Sequence, residues 1–357
     1  MSLLFRYLSR QILGSFALAL GSLLLLFGIF DLIGELDAVR SDGYTTTLAM
    51  MYVMLGLPGR LHELLPIATL VGAIFALTRL AMNSEFTVMR ASGLSMPRLA
   101  GYMALLGLLL GLATLLVGEY LAPPAERLAQ QIKIRGTKGI VAQEFRSGLW
   151  AKDGPTFVNI RQMLPDATLL DIRMYEFDET FHLRRIRYAE KASWVENAFW
   201  QLQQVTDTQI TPSGTRVAQR PKLEWRSAIT PDLLSALMVN PDRMALTTLY
   251  SYVSYLKENR QKATRYEIAL WNKLAFPLAA PVMLLLALPF AYQQPRGKGL
   301  SGRVMLGILI GLGFHLLNRM FGNIGLLNDW PPLLSALLPL TLFSLATLVA
   351  LWRTEAR

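Results

Sequence analysis

The chain has 357 residues, of which 53% are hydrophobic and 17% charged; a soluble domain carries about 25% charged residues, so lipid is the solvent for part of this one. It has no cysteine, which excludes disulfide scaffolds and thiolate metal sites, and its composition disfavours disorder and coiled coils. The net charge of +10 is compatible with nucleic acid, anionic lipid or another polyanion, and position along the chain has to decide.

From the N-terminus, the first apolar run covers Ile12–Ile33. Ala17-Leu18-Ala19 resembles a cleavage site, but the run is longer than a signal-peptide core, so an uncleaved membrane helix is expected. Leu48–Leu57 is apolar but too short to cross a bilayer, and is expected at the interface or against the bundle. Runs at Leu64–Met82 and Leu99–Leu121 complete a first set of three, each near the roughly 20 residues that span as a helix. Between them, Ser84 can cap a short helix, Glu85 suits its positive end, and Gly93 can terminate it. Phe86, Met89 and Arg90 share one face at helical spacing. The pattern predicts a short helix with an exposed apolar and charged face, the surface a permease needs to dock into an ATPase groove.

The middle, about residues 123–262, changes period. Asp171–Phe177, Phe181–Tyr188 and Phe199–Val205 alternate apolar and polar residues, as half-buried strands do. Turn-like breaks separate them at Asp178-Glu179, Glu196-Asn197 and Pro212-Ser213-Gly214. Short strands at this spacing predict a β-sandwich, jellyroll or small barrel, with Trp194, Phe199 and Trp200 in its interior. Thr230-Pro231 signals a helix start. Thr247–Asn259 reads as a helix whose stripe of Tyr250, Val253 and Tyr255, beside Tyr252 and Leu256, is expected to pack on the sheet or the membrane face.

Three more apolar runs follow at Ile268–Tyr292, Val304–Phe321 and Leu333–Trp352. Pro277, Pro281 and Pro289 predict a kink in the first of these. Gly307 and Gly311 form a small-xxx-small pair in the second, suited to close packing or a lateral gate. The short loops divide by charge: Arg6, Arg10, Arg79, Arg90, Arg98, Arg296, Lys298, Arg303, Arg353 and Arg357 fall on one side, which predicts that side, and both termini, to be cytoplasmic. The middle segment is then outside, with 20 Lys and Arg against 15 Asp and Glu. This division removes the case for nucleic acid.

Catalytic signals are missing. No phosphate-binding loop, H-E-x-x-H or nucleophile elbow occurs. His62, His182 and His315 lie far apart with no ligand spacing, so no metal site is expected. The helix cores hold almost no ionisable groups; Glu119, His315 and Arg319 approach helix ends. A transport or binding role is favoured over an intramembrane enzyme.

Four motifs in order carry a family resemblance: Ser84-Glu85 with Val88-Met89-Arg90-Ala91-Ser92-Gly93; Gly118-Glu119-Tyr120-Leu121-Ala122-Pro123, closing the third helix; Gly148-Leu149-Trp150-Ala151-Lys152-Asp153-Gly154, opening the β-domain; and Tyr266 with Trp271-Asn272-Lys273-Leu274 and Pro277-Leu278. With these, the chain resembles the lipopolysaccharide export permease family, LptF and LptG, over essentially its whole length, and the third motif is more like LptG. The resemblance implies a bundle of six transmembrane helices with an inserted all-β, jellyroll-like periplasmic domain. The divisions are then 1–122 (with a coupling helix at about 84–93), 123–262 and 263–357. It implies an LptF-like partner permease, an LptB-like ATPase dimer that binds ATP and Mg so that this chain needs no cofactor, an LptC-like anchored protein and an LptA-like bridge. Glu85, Phe86, Met89 and Arg90 are the implied ATPase-coupling residues. Lys133 and Arg135 match basic residues that meet lipid A phosphates; Arg40 and Arg319 join them as candidate lipopolysaccharide contacts. One departure stands out: where some members carry lysines at the end of the first helix, this chain has Asp31, Glu35 and Asp37. The alternatives are the LptF subunit itself and a permease that transmits ATPase motion to periplasmic factors without moving lipid.

Overall fold

The computed structural model describes residues 3–36, 39, 44–136, 148–164, 168–195, 199–212, 214–231, 233–234, 241–292 and 300–355, with the side chains of 134–136 outside that set. Among the described residues, six helices are long and apolar enough to cross a membrane: Leu3–Leu36, Thr46–Met82, Met96–Lys133, Thr264–Tyr292, Leu300–Leu327 and Pro332–Glu355. They fall three and three around the β-domain, as the composition predicts.

The first helix, α1 (Leu3–Leu36), is about 51 Å long at 1.5 Å per residue, longer than the hydrocarbon layer, so its ends project. The second, α2 (Thr46–Met82), absorbs the Leu48–Leu57 stretch as its first turns and continues through Pro58 and Pro66. That stretch is therefore not a separate element, and the number of candidate spans among the described residues stays at six. After α3 (Glu85–Ala91), the third spanning helix starts as α4 (Met96–Leu116). It does not close at Pro123. A π-turn at Val117–Leu121 carries it into α5 (Ala122–Gly136); the wider turn accommodates Pro123-Pro124, whose nitrogens have no hydrogen to continue the ladder.

Every residue of α2 from Leu64 to Ile74 is buried, so α2 is the pillar of the bundle. Glycines let neighbours approach it closely. A Cβ at Gly72 would stand 2.5 Å from the Cα of Phe16 on α1. Elsewhere, a Cβ at Gly107 or Gly111 of α4 would run into the backbone of Pro281 or Pro277. Those prolines break the fourth spanning helix into α7 (Thr264–Ala275), a 3-10 turn at Phe276–Leu278, α8 (Ala279–Ala287) and α9 (Pro289–Tyr292), which is the expected kink. The last two spanning helices are α10 (Leu300–Leu327) and α11 (Pro332–Glu355).

The inserted domain is one antiparallel sheet of six strands in sequence order: β1 (Leu149–Asp153), β2 (Thr156–Met163), β3 (Leu169–Phe177), β4 (Leu183–Val195), β5 (Phe199–Thr211) and β6 (Gly214–Trp225). It is all-β as expected, but its order is a meander; the Greek-key crossings of a jellyroll do not occur among the described residues. What bends it is a crease. The ladders β2–β3, β4–β5 and β5–β6 keep register, and β3–β4 keeps it as far as a bulge at Glu176/Phe177, yet all four lack a pair along a single line through Arg161, Asp171, Glu190, Gln204 and Pro221. Asp171 and Gln204 have positive φ there, 51° and 53°. Inward positions consequently jump by three across the line, from Leu202 to Val205 and from Ala189 to Ala192, instead of the usual two. One face of the sheet is closed by α6 (Leu246–Glu258), whose Tyr252, Val253, Tyr255 and Leu256 join Trp200, Trp225 and the strand residues in one core. Tyr250 points away and is exposed. Trp200 is fully buried and donates its indole N–H to the Ile229 carbonyl at 2.7 Å.

Gly107→Ala should lower the thermal stability of the detergent-purified protein by about 1–3 kcal/mol through overpacking against Pro281. Gly101→Ala, on the same helix with open space around it, should be neutral or slightly stabilising. Paired melting curves check both.

Candidate functional site

Where the bundle meets the β-domain, a buried lysine organises the chain. Lys273 of α7 is 5% exposed. Its ammonium donates to the Gly118 carbonyl at 2.8 Å, closely to the Met244 carbonyl, and pairs with Glu119 at 3.4 Å. Three acceptors satisfy its three donors. The Glu119 carboxylate in turn accepts the backbone N–H of Leu246 at 2.7 Å and of Thr247 at 3.5 Å. It thereby caps α6, whose own cap residue, Ala245, has no side-chain oxygen to do so. Two of the family-like motifs, Gly118-Glu119 and Asn272-Lys273, thus meet in space. Gly118 is required here: a Cβ would lie 2.7 Å from Nδ1 of His62, which donates to the Thr114 carbonyl at 3.1 Å.

A ladder of ion pairs runs beside this clamp. Asp31 of α1 receives Arg60 of α2 through two hydrogen bonds of 2.8 and 2.6 Å. Arg60 also reaches Glu63 at 3.1 Å, Glu63 faces Arg243 at 3.6 Å, and Arg243 reaches Glu126 of α5 at 3.0 Å. Glu35 holds Lys133 at 2.7 Å, with the ammonium 4.8 Å over the Tyr52 ring. The acidic end of α1 is therefore internally neutralised at Asp31 and Glu35.

Between α2, the Pro241–Arg243 turn, α7 and α10 lies a polar cavity of about 370 Å³, lined among others by His62, Asp242, Arg265, His315 and Arg319. Burial, then Glu63, raises the Asp242 carboxyl above its usual range, against the pull of Arg319, Arg265 and Arg243.

At the opposite end of the bundle, α3 forms as its spacing predicts, but its face is reversed. Phe86 and Met89 are buried in the bundle core, with Phe86 edge-on to Tyr292 at 5.0 Å. Burying that apolar face in the bundle core removes it from water, so Thr87, Val88, Arg90 and Ala91 are what α3 exposes. Arg90 lies 4.9 Å over the Tyr292 ring. Ser84 makes no side-chain cap and sits at positive φ; Gly93, at φ 94°, ends the helix with the Leu94 N–H on the Met89 carbonyl at 3.2 Å and its own N–H on Arg90 at 3.0 Å. Glu85 accepts the Tyr7 hydroxyl at 2.6 Å and the Asn83 amide at 3.3 Å. These bonds, the Tyr7 one foremost, hold its carboxyl below the usual range.

The other expected residues fall as follows. Arg40 lies outside the described residues, and Arg135 is placed only as a helix position on α5. Lys133 is engaged by Glu35. Arg319 lines the cavity. Gly307 and Gly311 seat α10 against Ile74 and Ile67 of α2, so they serve packing within this chain. Lys273 and Glu119 stand in the family-like motifs without an assigned role, and Arg60, Glu63, Glu126 and Arg243 are not marked by any sequence pattern.

A family model described as lipopolysaccharide export system permease LptF/LptG matches residues 6–353. The lipopolysaccharide export system permease protein LptG of Escherichia coli strain K12 is 34% identical over 350 residues, covering 98% of this chain and 97% of its own length. That of Haemophilus influenzae is 30% identical over 348 residues, covering 97% and 96%.

Lys273→Met should cost about 3–5 kcal/mol, because it leaves Glu119 and two carbonyls buried without their cation; Glu119→Gln should cost less, since an amide oxygen still accepts from Leu246. Chemical denaturation in detergent checks the order. For Glu85, the folded value lies below the unfolded one, so its tie to Tyr7 is intact above about pH 4.3 and is lost as pH falls through the folded value. Hydrogen exchange of α3 should rise on acidification through that window, and Tyr7→Phe should abolish the dependence.

Proposed function

The chain belongs to the lipopolysaccharide export system permease family LptF/LptG, and from that premise we propose that it is the LptG-type subunit of an ATP-driven transporter. It is a multi-pass inner-membrane permease subunit for lipopolysaccharide export. In this reading both termini and α3 face the cytoplasm and the β-domain lies in the periplasm, in keeping with the loop arginines. It pairs with an LptF-like permease, an LptB-like ATPase dimer takes ATP and Mg, and LptC-like and LptA-like proteins receive the lipid.

The observation that carries the reading is how α1 and α10 sit on α2. Leu64, Ile67 and Val71 of α2 form a floor, against which Leu20, Leu23 and Phe27 of α1 and Val304 and Ile308 of α10 pack. Beyond that floor both helices keep long apolar faces outward, with Leu18, Leu25, Ile29 and Ile33 exposed on α1 and Met305, Leu309 and Leu316 on α10. Two apolar walls over one floor suit acyl chains between this subunit and its partner, more than the tight seam that motion transfer alone needs. Lys133 and Arg135, with Arg40, are the proposed headgroup contacts at the β-domain end. Glu85 and the exposed Val88 and Arg90 are the proposed ATPase-coupling surface, with Phe86 and Met89 anchoring α3 from within.

Co-purification with candidate ATPases, then lipopolysaccharide release from proteoliposomes with and without ATP, tests this. Release should require ATP and the partner permease. Glu85→Ala should weaken both ATPase association and release severalfold; unchanged values would remove it from coupling. Turnover of lipid by the chain alone would argue for a different class of protein.

A further inference from the structure

The polar cavity between α2, the Pro241–Arg243 turn, α7 and α10 has no part in the groove floored by Leu64, Ile67 and Val71, and its chemistry is different. We infer that it is a binding site for the phosphodiester headgroup of a membrane glycerophospholipid, distinct from the lipopolysaccharide path.

Three observations carry this. The first is charge. Of the lining groups, Glu63 is committed to Arg60 and Arg243, and Lys273 to Glu119. Asp242 then faces Arg265 and Arg319, and neither guanidinium forms a salt bridge among the described residues. Arg265, Arg319 and Lys273 against Glu63 and Asp242 leave one formal positive charge in excess in the lining. A phosphodiester carries one negative charge, whereas a phosphomonoester such as those of lipid A carries about 1.5 to 2 at neutral pH. Guanidinium forks bind phosphate oxygens in pairs.

The second is neutral chemistry and size. Asn272, Asn318 and Asn323 add amide donors and acceptors around the cationic pair. His62 has its Nδ1 hydrogen on the Thr114 carbonyl, which leaves Nε2 to accept from a hydroxyl. A volume of about 370 Å³ is in the range of small-ligand sites and matches a headgroup rather than a whole lipid.

The third is position. The lining residues of α7 and α10 lie near the β-domain ends of two spanning helices, Thr264–Tyr292 and Leu300–Leu327. Leu326, one of the lining residues, is 39% exposed, and Met320 and Leu327 at the same end of α10 are 47% and 82% exposed. A ligand with an apolar tail gains from these side chains, and a free phosphate ion does not.

The test uses the full chain purified in detergent, with dioleoylphosphatidylglycerol as the probe and native mass spectrometry and titration as readouts. The wild type should retain the lipid. The double variant Arg265→Gln/Arg319→Gln should bind it at least tenfold more weakly. Gly322→Leu, which fills the cavity without touching its charges, should give the same loss; it guards against the double variant failing to fold. Equal retention by both variants overturns the proposal. Displacement by inorganic phosphate would make the site one for a free ion, and displacement by lipopolysaccharide would make it part of the substrate path; either outcome also overturns it. Lipopolysaccharide release by the wild-type complex is measured in parallel, so that failure of the export reading registers separately from loss of phosphatidylglycerol.

Discussion

One buried ammonium sets the geometry at which a membrane bundle can carry a folded domain. Lys273 loses most of its hydration, a cost of several kcal/mol for an unpaired ion. It is held because three acceptors converge on it: Gly118 and Glu119 from the third spanning helix and Met244 from the linker out of the sheet. Their convergence needs the π-turn, which turns a carbonyl and a carboxylate toward α7 in place of the regular ladder. It needs glycine at 118 so that His62 can pack against the turn. And it fixes where α6 begins, because the same Glu119 caps that helix. Since α6 carries part of the sheet's core, this charge, with the Arg243 ion pairs beside it, fixes the β-domain on the bundle.

The sheet adds a second constraint of a different kind. A flat meander of six strands would leave most of one face to water. The aligned unpaired positions from Arg161 to Pro221 bend all the long strands at the same level, so both halves can turn one face toward a common core. Positive φ at Asp171 and Gln204 is unfavourable for residues with a Cβ, and the paired strands on either side over-determine it. The Tyr188 hydroxyl, donating to Asp171 at 2.6 Å, ties the crease to the next strand.

This explains how much could be read from the sequence. The spans were legible because hydrophobicity over about 20 residues is a strong, local signal, and the kink at Pro277 and the stop at Gly93 follow from backbone chemistry that needs no partner. The strands were legible only to the crease: alternation starts at Asp171, stops near Tyr188 and stops again at Val205, the positions where the phase slips. The face of α3 was misread because periodicity gives the face and not what it meets; Tyr292 and the bundle core, far along the chain, decide that Phe86 and Met89 turn inward. The members of the clamp stand in the motifs, but their meeting could not be read for the same reason, since they come from three separated segments.

The acidic end of α1 shows where pairwise electrostatics overrides a composition argument. Asp31, Glu35 and Asp37 look repulsive to an anionic headgroup when counted alone. In the fold, Asp31 is bound bidentately by Arg60, and Glu35, only 12% exposed, holds Lys133, which is 37% exposed. The more accessible partner of the second pair is thus the cation. An anion approaching this end meets an ammonium already oriented by a carboxylate and by the Tyr52 ring. It would have to compete with Glu35 for that ammonium, so the contact proposed there would be weak and reversible. For a permease that must release a polyanionic lipid as well as bind it, an exchangeable cation is better suited than a bare one, because binding that is too strong in the loaded state adds to the barrier for release.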